Sequence, residues 1–376
     1  MIHFLTPEYP PRHGGVADYT RQIATEIARS GESVHVWGPQ GSISESTGSV
    51  VVHSELGQFA PADLQRASAM LDAYPSPRRL IVQWVPHGYG RRAMNLSFCL
   101  WLWRRSIAGD TIDLIVHEPF VTFSGGIRQC ALAAVQRSMA LIILSAARRV
   151  WVTTRAWTPL LEPYLSGRGI AIQWLPVPSN LPPAHGAAVD RVRKRYAPAN
   201  EPLVGHFGTH GSLVTSLLED VIVQAVKQHP SGRFLLIGSG SDTFRAALAA
   251  RDAGLVNRVF ATGSLSNADL AAHIEACDVL LQLYPDGITS RRTTTMAGLF
   301  AGVPVVTTRG MLTERFWCDE MPVKLADVGD VPAIVQHVID LLASPAERRR
   351  QGDAGRALYD RWFDVRHTVA ALASVM

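Results

Sequence analysis

Val279-Leu-Leu-Gln-Leu-Tyr-Pro-Asp-Gly-Ile-Thr-Ser-Arg-Arg-Thr-Thr-Thr-Met-Ala-Gly-Leu-Phe-Ala-Gly-Val-Pro-Val-Val-Thr307 reads as strand, polar loop, apolar helix and second strand. Residues 279–283 make the first strand, 293–301 the helix and 304–307 the second strand. A helix between two apolar strands predicts parallel pairing, because parallel strands need a crossover that a helix supplies.

The same alternation extends both ways. Strands are expected at 203–207, 234–237, 258–261 and 323–325, with helices at 213–228, 243–253, 267–276 and 331–343. Two helical patterns, 346–362 and 366–375, close the chain. The first half repeats the scheme. It has strands at 2–5, 34–37, 80–84, 114–117, 150–153 and 170–174, and helices at 16–30, 95–106 and 128–147. Pro176-Val-Pro178 and then Pro182-Pro183 form the expected linker. Two α/β arrays of similar size predict two domains, 1–178 and 179–362. Ligands of such sheets lie outside the carboxyl ends of the strands, and domain interfaces favour small-molecule sites.

Composition sets bounds on function. The chain has 376 residues, 47% of them apolar, and a formal net charge of +4. This is globular composition, and the mild basicity permits anionic ligands or surfaces without selecting one. No uninterrupted apolar run reaches the roughly 18–20 residues of a membrane span. The N-terminal residues read as a strand without a basic leader, so a cytoplasmic protein is expected. Cys99, Cys130, Cys277 and Cys318 have neither zinc nor redox spacing, and are read as reduced structural thiols.

Pro11-Arg-His-Gly-Gly-Val-Ala-Asp-Tyr19 follows the first strand and opens the first helix. Gly14 and Gly15 let backbone approach a ligand, and the first helical amides favour an anion; a plain turn is the other reading. Asp18, in the first helical turn, either stabilises the helix dipole or binds an acceptor hydroxyl. Val116-His-Glu-Pro119 ends a strand, placing His117 to polarise a hydroxyl or sugar and Glu118 to accept a hydrogen bond, although a lone histidine is more often structural. Phe207-Gly-Thr-His-Gly-Ser212 mirrors the first glycine turn. The Gly208 amide, Thr209, His210 and Ser212 are donors for phosphate, or Ser212 caps the next helix. In Ile237-Gly-Ser-Gly-Ser241 the third glycine of a dinucleotide fingerprint is replaced by Thr243, so Gly238 and Gly240 point instead to a loop against which a nucleoside packs.

The loop from Tyr284 to Thr295 is the most informative. Arg291 and Arg292 offer planar, bidentate recognition of phosphate, beside the hydroxyls of Ser290, Thr293 and Thr294 at a helix start. A solvated surface loop is the alternative. There is no Asp-x-Asp pair. Leaving-group charge would then fall to arginine, hydroxyl and amide dipoles, and no metal ligand set is expected.

The Gly14-Gly-Val-Ala-Asp-Tyr19 turn, Ala276-Cys-Asp-Val-Leu-Leu281, Ala301-Gly-Val-Pro-Val-Val306 and the terminal Tyr359-Asp-Arg-Trp-Phe363 come in this order. Over nearly its whole length the chain resembles the retaining GT-B glycosyltransferases, in particular glycosyltransferase family 4. The resemblance implies an α/β fold of two Rossmann-like domains facing a cleft, with a C-terminal helix, 363–376, crossing back to the N-domain. It implies that Gly14 and Gly15 approach a donor diphosphate and that His117 lies beside the transferred sugar. Gly238 to Gly240, with Gly263, Ser264 and Leu265, would border the base, and Ser290 to Thr294 would hold sugar and phosphates. The chain departs from the family at two places. Thr289 and Ala297 stand where it usually has glutamates, and His206, Thr209 and His210 stand in the region of its arginine and lysine. Arg291 and Arg292 would supply that charge from another loop.

The expected reaction is metal-independent transfer, with retention, from a nucleotide-diphosphate sugar such as a UDP- or GDP-sugar to an acceptor hydroxyl. No further cofactor is expected. His117, Glu118, Asp18 and Arg291 are the catalytic candidates. A nucleotide-sugar epimerase on the same fold and a non-catalytic partner protein are the alternatives. The acceptor stays open among small molecules, glycans, lipids and modified nucleobases. Leu100-Trp-Leu-Trp-Arg-Arg105, after Gly90-Arg-Arg92, marks either a helix with a buried tryptophan face or a surface meeting nucleic acid or the inner membrane face.

Overall fold

A computed structural model describes residues 1–12, 14–43, 49–90, 93–123 and 125–373. The chain divides into two compact units, Met1–Val177 with the segment from Val365, and Pro178–Asp364.

The first unit runs β1 (Ile2–Leu5), α1 (Gly15–Arg29), β2 (Val34–Pro39), β3 (Val50–Gly57), α2 (Pro61–Leu71), β4 (Arg79–Trp84), α3 (Leu96–Ile107), β5 (Thr111–Val116), α4 (Ile127–Ala146), β6 (Ala147–Val152), α5 (Thr158–Leu165) and β7 (Ile172–Trp174). Its seven strands are parallel in the order β3-β2-β1-β4-β5-β6-β7. Every residue of β1 is buried, as expected of a strand covered by helices on both faces. Ala17, Tyr19, Ile23, Ala24 and Ile27 form the buried stripe of α1.

The second unit runs α6 (Gly186–Tyr196), β8 (Leu203–Phe207), α7 (Ser212–Gln228), β9 (Arg233–Ile237), α8 (Ser241–Arg251), β10 (Val259–Ala261), α9 (Asn267–Glu275), β11 (Val279–Gln282), α10 (Thr293–Ala301), β12 (Val305–Arg309), α11 (Arg315–Asp319), β13 (Lys324–Asp327), α12 (Val331–Ala343) and α13 (Pro345–Leu358). Its six parallel strands are ordered β10-β9-β8-β11-β12-β13. After a π-turn at Tyr359–Phe363, helix α14 (Val365–Ala373) belongs to the first unit and packs on α1. Leu372 joins the core of Ile23, Ile27 and Val36, and its carbonyl accepts Arg79 Nη1 at 2.5 Å.

Both sheets are doubly wound, Rossmann-like layers. The strand order reverses between β1 and β4 in one unit and between β8 and β11 in the other, and the crevice at such a reversal is where open α/β sheets bind ligands.

Candidate active site

At the first reversal, the loop after β1 folds its own acid onto the next helix. Glu8 Oε1 accepts the amides of Val16 at 2.9 Å and Ala17 at 3.1 Å, satisfying donors that the first turn of α1 cannot pair internally. A Cβ at Gly14 would lie 2.3 Å from that oxygen, so a side chain there would displace the Glu8 carboxylate. Gly15 has open space around it. At the turn expected to approach a diphosphate, Gly14 and Gly15 thus stand beside the Glu8 carboxylate. A carboxylate of the chain itself holds the anion position, and Glu8 is the residue that sequence spacing missed.

Asp18 is half-buried, with Arg21 Nη2 at 3.6 Å. His117 continues β5 into the loop and is buried, its Nε2 2.7 Å from the Gln83 amide oxygen and its ring edge-on to Tyr19 at 5.1 Å. Its carbonyl accepts Trp157 Nε1 at 2.9 Å. The histidine is thus held in place by Gln83, Tyr19 and Trp157. Glu118 does not join it. Its carboxylate pairs at 3.1 Å with His87 Nδ1, and that hydrogen bond raises the His87 pKa.

At the second reversal the loops after β8, β9 and β10 interlock. A Cβ at Gly238 would meet the Gly208 carbonyl at 2.3 Å, and Gly238 holds φ +112. Gly240, at φ +81, precedes α8 and lies against Thr209. These two glycines are explained by backbone approaching backbone. Gly263 bridges to Gly238, which brings exposed Ser264 and half-buried Leu265 to the same edge. Thr209 is exposed. His210 Nδ1 lies 3.2 Å from the Ser239 carbonyl, and its ring meets His206 edge-on at 5.1 Å. His206 Nδ1 is 2.7 Å from the Leu281 carbonyl. Burial, with His210 beside it, pushes the His206 pKa down to about 3; burial lowers His210 as well. Both rings are therefore neutral at pH 7, and they do not replace an arginine and a lysine as fixed charges.

The charge comes from the loop between β11 and α10. Arg291 Nη2 lies 3.4 Å from Asp286 Oδ2, and Arg292 contacts Asp286 Oδ1 closely. The Arg292 guanidinium also covers the Tyr284 ring at 4.5 Å. Tyr284 Oη in turn meets Thr294 Oγ1 at 2.6 Å and Thr295 Oγ1 at 2.8 Å. Two half-buried guanidiniums sharing one carboxylate leave net positive charge at the start of α10, where Thr293 and Thr294 present first-turn amides.

Ser290 is corrected. It is fully buried, and both its amide and its hydroxyl donate to Glu314, each at 2.6 Å. Glu314 also accepts Trp317 Nε1 at 3.2 Å. It lies just before α11, a helix too short to show periodicity, so sequence spacing gave no sign of it. Ser290 therefore anchors the loop from behind instead of facing a ligand. Among the described residues no group of three or more His, Cys, Asp or Glu could hold a metal ion.

Residues 202–344, which include all six strands of the second unit's sheet, match the family described as Glycosyl transferases group 1. No curated protein is significantly similar in sequence. Solved structures share the fold over the whole chain. Sucrose-phosphate synthase from Thermosynechococcus elongatus superposes with a TM-score of 0.74 at 18% identity, covering 100% of this chain and 98% of that one. HepE of Anabaena, in complex with UDP and glucose, gives 0.68 at 16% identity over 100% and 98%. WaaG, a glycosyltransferase involved in lipopolysaccharide biosynthesis, gives 0.68 at 14% identity over 100% of both chains. The chain has the GT-B fold of two Rossmann-like domains, and its second domain carries the stretch similar to glycosyl transferases group 1.

Proposed function

We propose that this chain, built on a glycosyl transferases group 1 domain, moves a sugar from a nucleotide-diphosphate sugar to an acceptor hydroxyl with retention, as a divergent member of glycosyltransferase family 4. The observation that carries the reading is the loop from Asp286 to Thr294. It sets two guanidiniums and the first turn of α10 beside the strand reversal of the donor-type sheet. UDP bound to the structurally similar HepE supports a nucleoside diphosphate as the ligand class.

In this mechanism the diphosphate leaves with its charge held by Arg291, Arg292 and the amides and hydroxyls of Thr293 and Thr294. A phosphate fits Arg291 and Arg292 better than Asp286 does, because it offers more oxygens to their ten N–H donors in total, five on each guanidinium. The acceptor hydroxyl attacks from the face that the diphosphate leaves, and the departing phosphate oxygen takes its proton. Charge neutralisation by this chain's own cations makes the proposed reaction metal-independent.

A thermal-shift screen across nucleoside diphosphates and their sugars tests the reading, since a ligand that binds the folded state raises apparent stability by mass action. Stabilisation by one nucleotide class, followed by nucleotide release when an acceptor is added, is expected. No stabilisation by any of them would favour a non-catalytic protein. A new nucleotide-sugar formed without acceptor would favour the epimerase.

A further inference from the structure

We infer that the outer face of α3 and α4 is a docking surface for an anionic lipid bilayer. The two helices are successive right-handed crossovers, β4 to β5 and β5 to β6, so they lie on one side of the first sheet and pack side by side. Helix α3 buries Phe98, Cys99, Trp101 and Leu102 toward the sheet. Its opposite side carries Leu96, Leu100, Trp103 and Ile107, all exposed, Ile107 to 65%. The spacing of four, three and four residues makes them one stripe along the helix. A helix apolar on both sides belongs either in a core or in contact with lipid, and this one is at the surface.

Helix α4 continues the face. It is long and apolar enough, by length and composition, to cross a membrane, yet it is a crossover helix with only 39% of its most apolar window buried. Ile127 is 90% exposed, Leu141 is exposed, and Ala131, Ala134, Ser138 and Ser145 lie exposed on the same side. Midway along α4 the Gln136 amide accepts the Val121 N–H at 2.8 Å and donates to the Ala93 carbonyl at 3.2 Å. This ties the loops bearing exposed Met94 and Phe123 to the middle of α4.

Charge selects the occupant. Neither helix contains an aspartate or glutamate. Arg104 and Arg128 are exposed, and Arg137 stacks on Phe120 at 4.4 Å and Phe123 at 3.9 Å. On the flanking helices Asp63 is already paired with Arg66, which leaves Glu162 of α5 as the exposed acid. A second copy in a two-fold dimer would bring arginines against arginines with no acid between them. Nucleic acid would satisfy the arginines but leave the Leu, Trp and Ile side chains in water. An anionic headgroup layer over acyl chains satisfies both, with the indole of Trp103 at the boundary. This surface lies wholly within the first unit and does not depend on the nucleotide reading.

Co-sedimentation of the full chain with vesicles tests it. Equal parts phosphatidylglycerol and phosphatidylcholine should retain the protein, and phosphatidylcholine alone should not. Raising salt to ~1 M, where the screening length is about 3 Å, should release it. Leu100→Glu with Trp103→Glu should abolish retention, while Arg104→Ala and Arg128→Ala should each weaken it about fivefold. Thermal melting of each variant should match wild type, because the replaced side chains are exposed. Retention unchanged by the Glu pair overturns the proposal. So does failure of wild type to sediment with anionic vesicles. A dimer seen by sedimentation velocity and dispersed by Trp103→Glu would assign the face to a second copy and overturn it as well.

Discussion

Helices α1 and α10 both start beside a strand-order reversal, and both follow a loop carrying one acid: Glu8 before α1, Asp286 before α10. In α1 the carboxylate bonds directly to the helix amides, so an incoming anion would have to break two charge-assisted bonds. In α10 the carboxylate binds two arginines and leaves the helix start to them. The same strand–turn–helix grammar therefore gives a helix start covered by a carboxylate in one unit and one flanked by two arginines in the other. The residue that decides is not the glycine of the turn but what the acid reaches.

The largest effect is expected at the arginine-flanked end. Replacing Arg291 and Arg292 together by Ala should lower turnover of the identified nucleotide-sugar by about a hundred- to a thousandfold, the usual cost of removing transition-state donors. Full turnover in steady-state assays would equate the two helix ends and refute the assignment. Glu314→Gln should come next. It removes one acceptor from the bonds to Ser290 and Trp317 and should lower unfolding free energy in urea by about 2–3 kcal/mol.

Burial of His206 gives the second unit an acid limit. Its folded pKa lies below its ordinary 6.5, at about 3, so its contribution to stability is complete above pH 6.5 and is lost as pH falls toward 3. Denaturant melts of wild type should lose up to about 1.4 kcal/mol per pH unit from this group in that window. His206→Gln should flatten the curve there.

Smaller effects separate the two acids. Glu8→Gln should cost about 1 kcal/mol, as loss of a helix cap and its charge does, and should leave nucleotide affinity unchanged. Asp286→Asn should instead tighten diphosphate binding by about two- to fivefold, since it removes a half-exposed competitor. Equal responses of affinity in the two variants would show that both ends receive the ligand.

The fold was legible in the sequence where strands are buried on both faces. Residues 2–5, 80–84 and 279–283 are apolar but for one residue each, His3, Gln83 and Gln282, and stand between helical stripes. What stayed hidden had weak periodicity. Strand β3 is an edge strand that alternates exposed and buried positions, and α6 buries only Val192 and Tyr196. Helix α2 buries only Leu64, Ala67 and Leu71, α5 is short and interrupted by Pro163, and α11 spans one turn. At the site, the arginine pair and helix start were readable because charge and turn chemistry are local. Glu8 and Glu314 were not, because their roles come from where a loop returns, and no spacing rule encodes that. Trp101 and Trp103 show the same limit. Two residues apart on one helix, the first is buried and bonded to Ser68, and the second faces solvent.

Titration calorimetry of nucleoside diphosphates into wild type and into the Arg291→Ala, Arg292→Ala double variant tests the central claim most directly. Wild type should bind at least one of them, and the double variant should bind none measurably while melting at the wild-type temperature. Equal affinity in the two proteins would contradict the claim that the start of α10 holds the donor pyrophosphate.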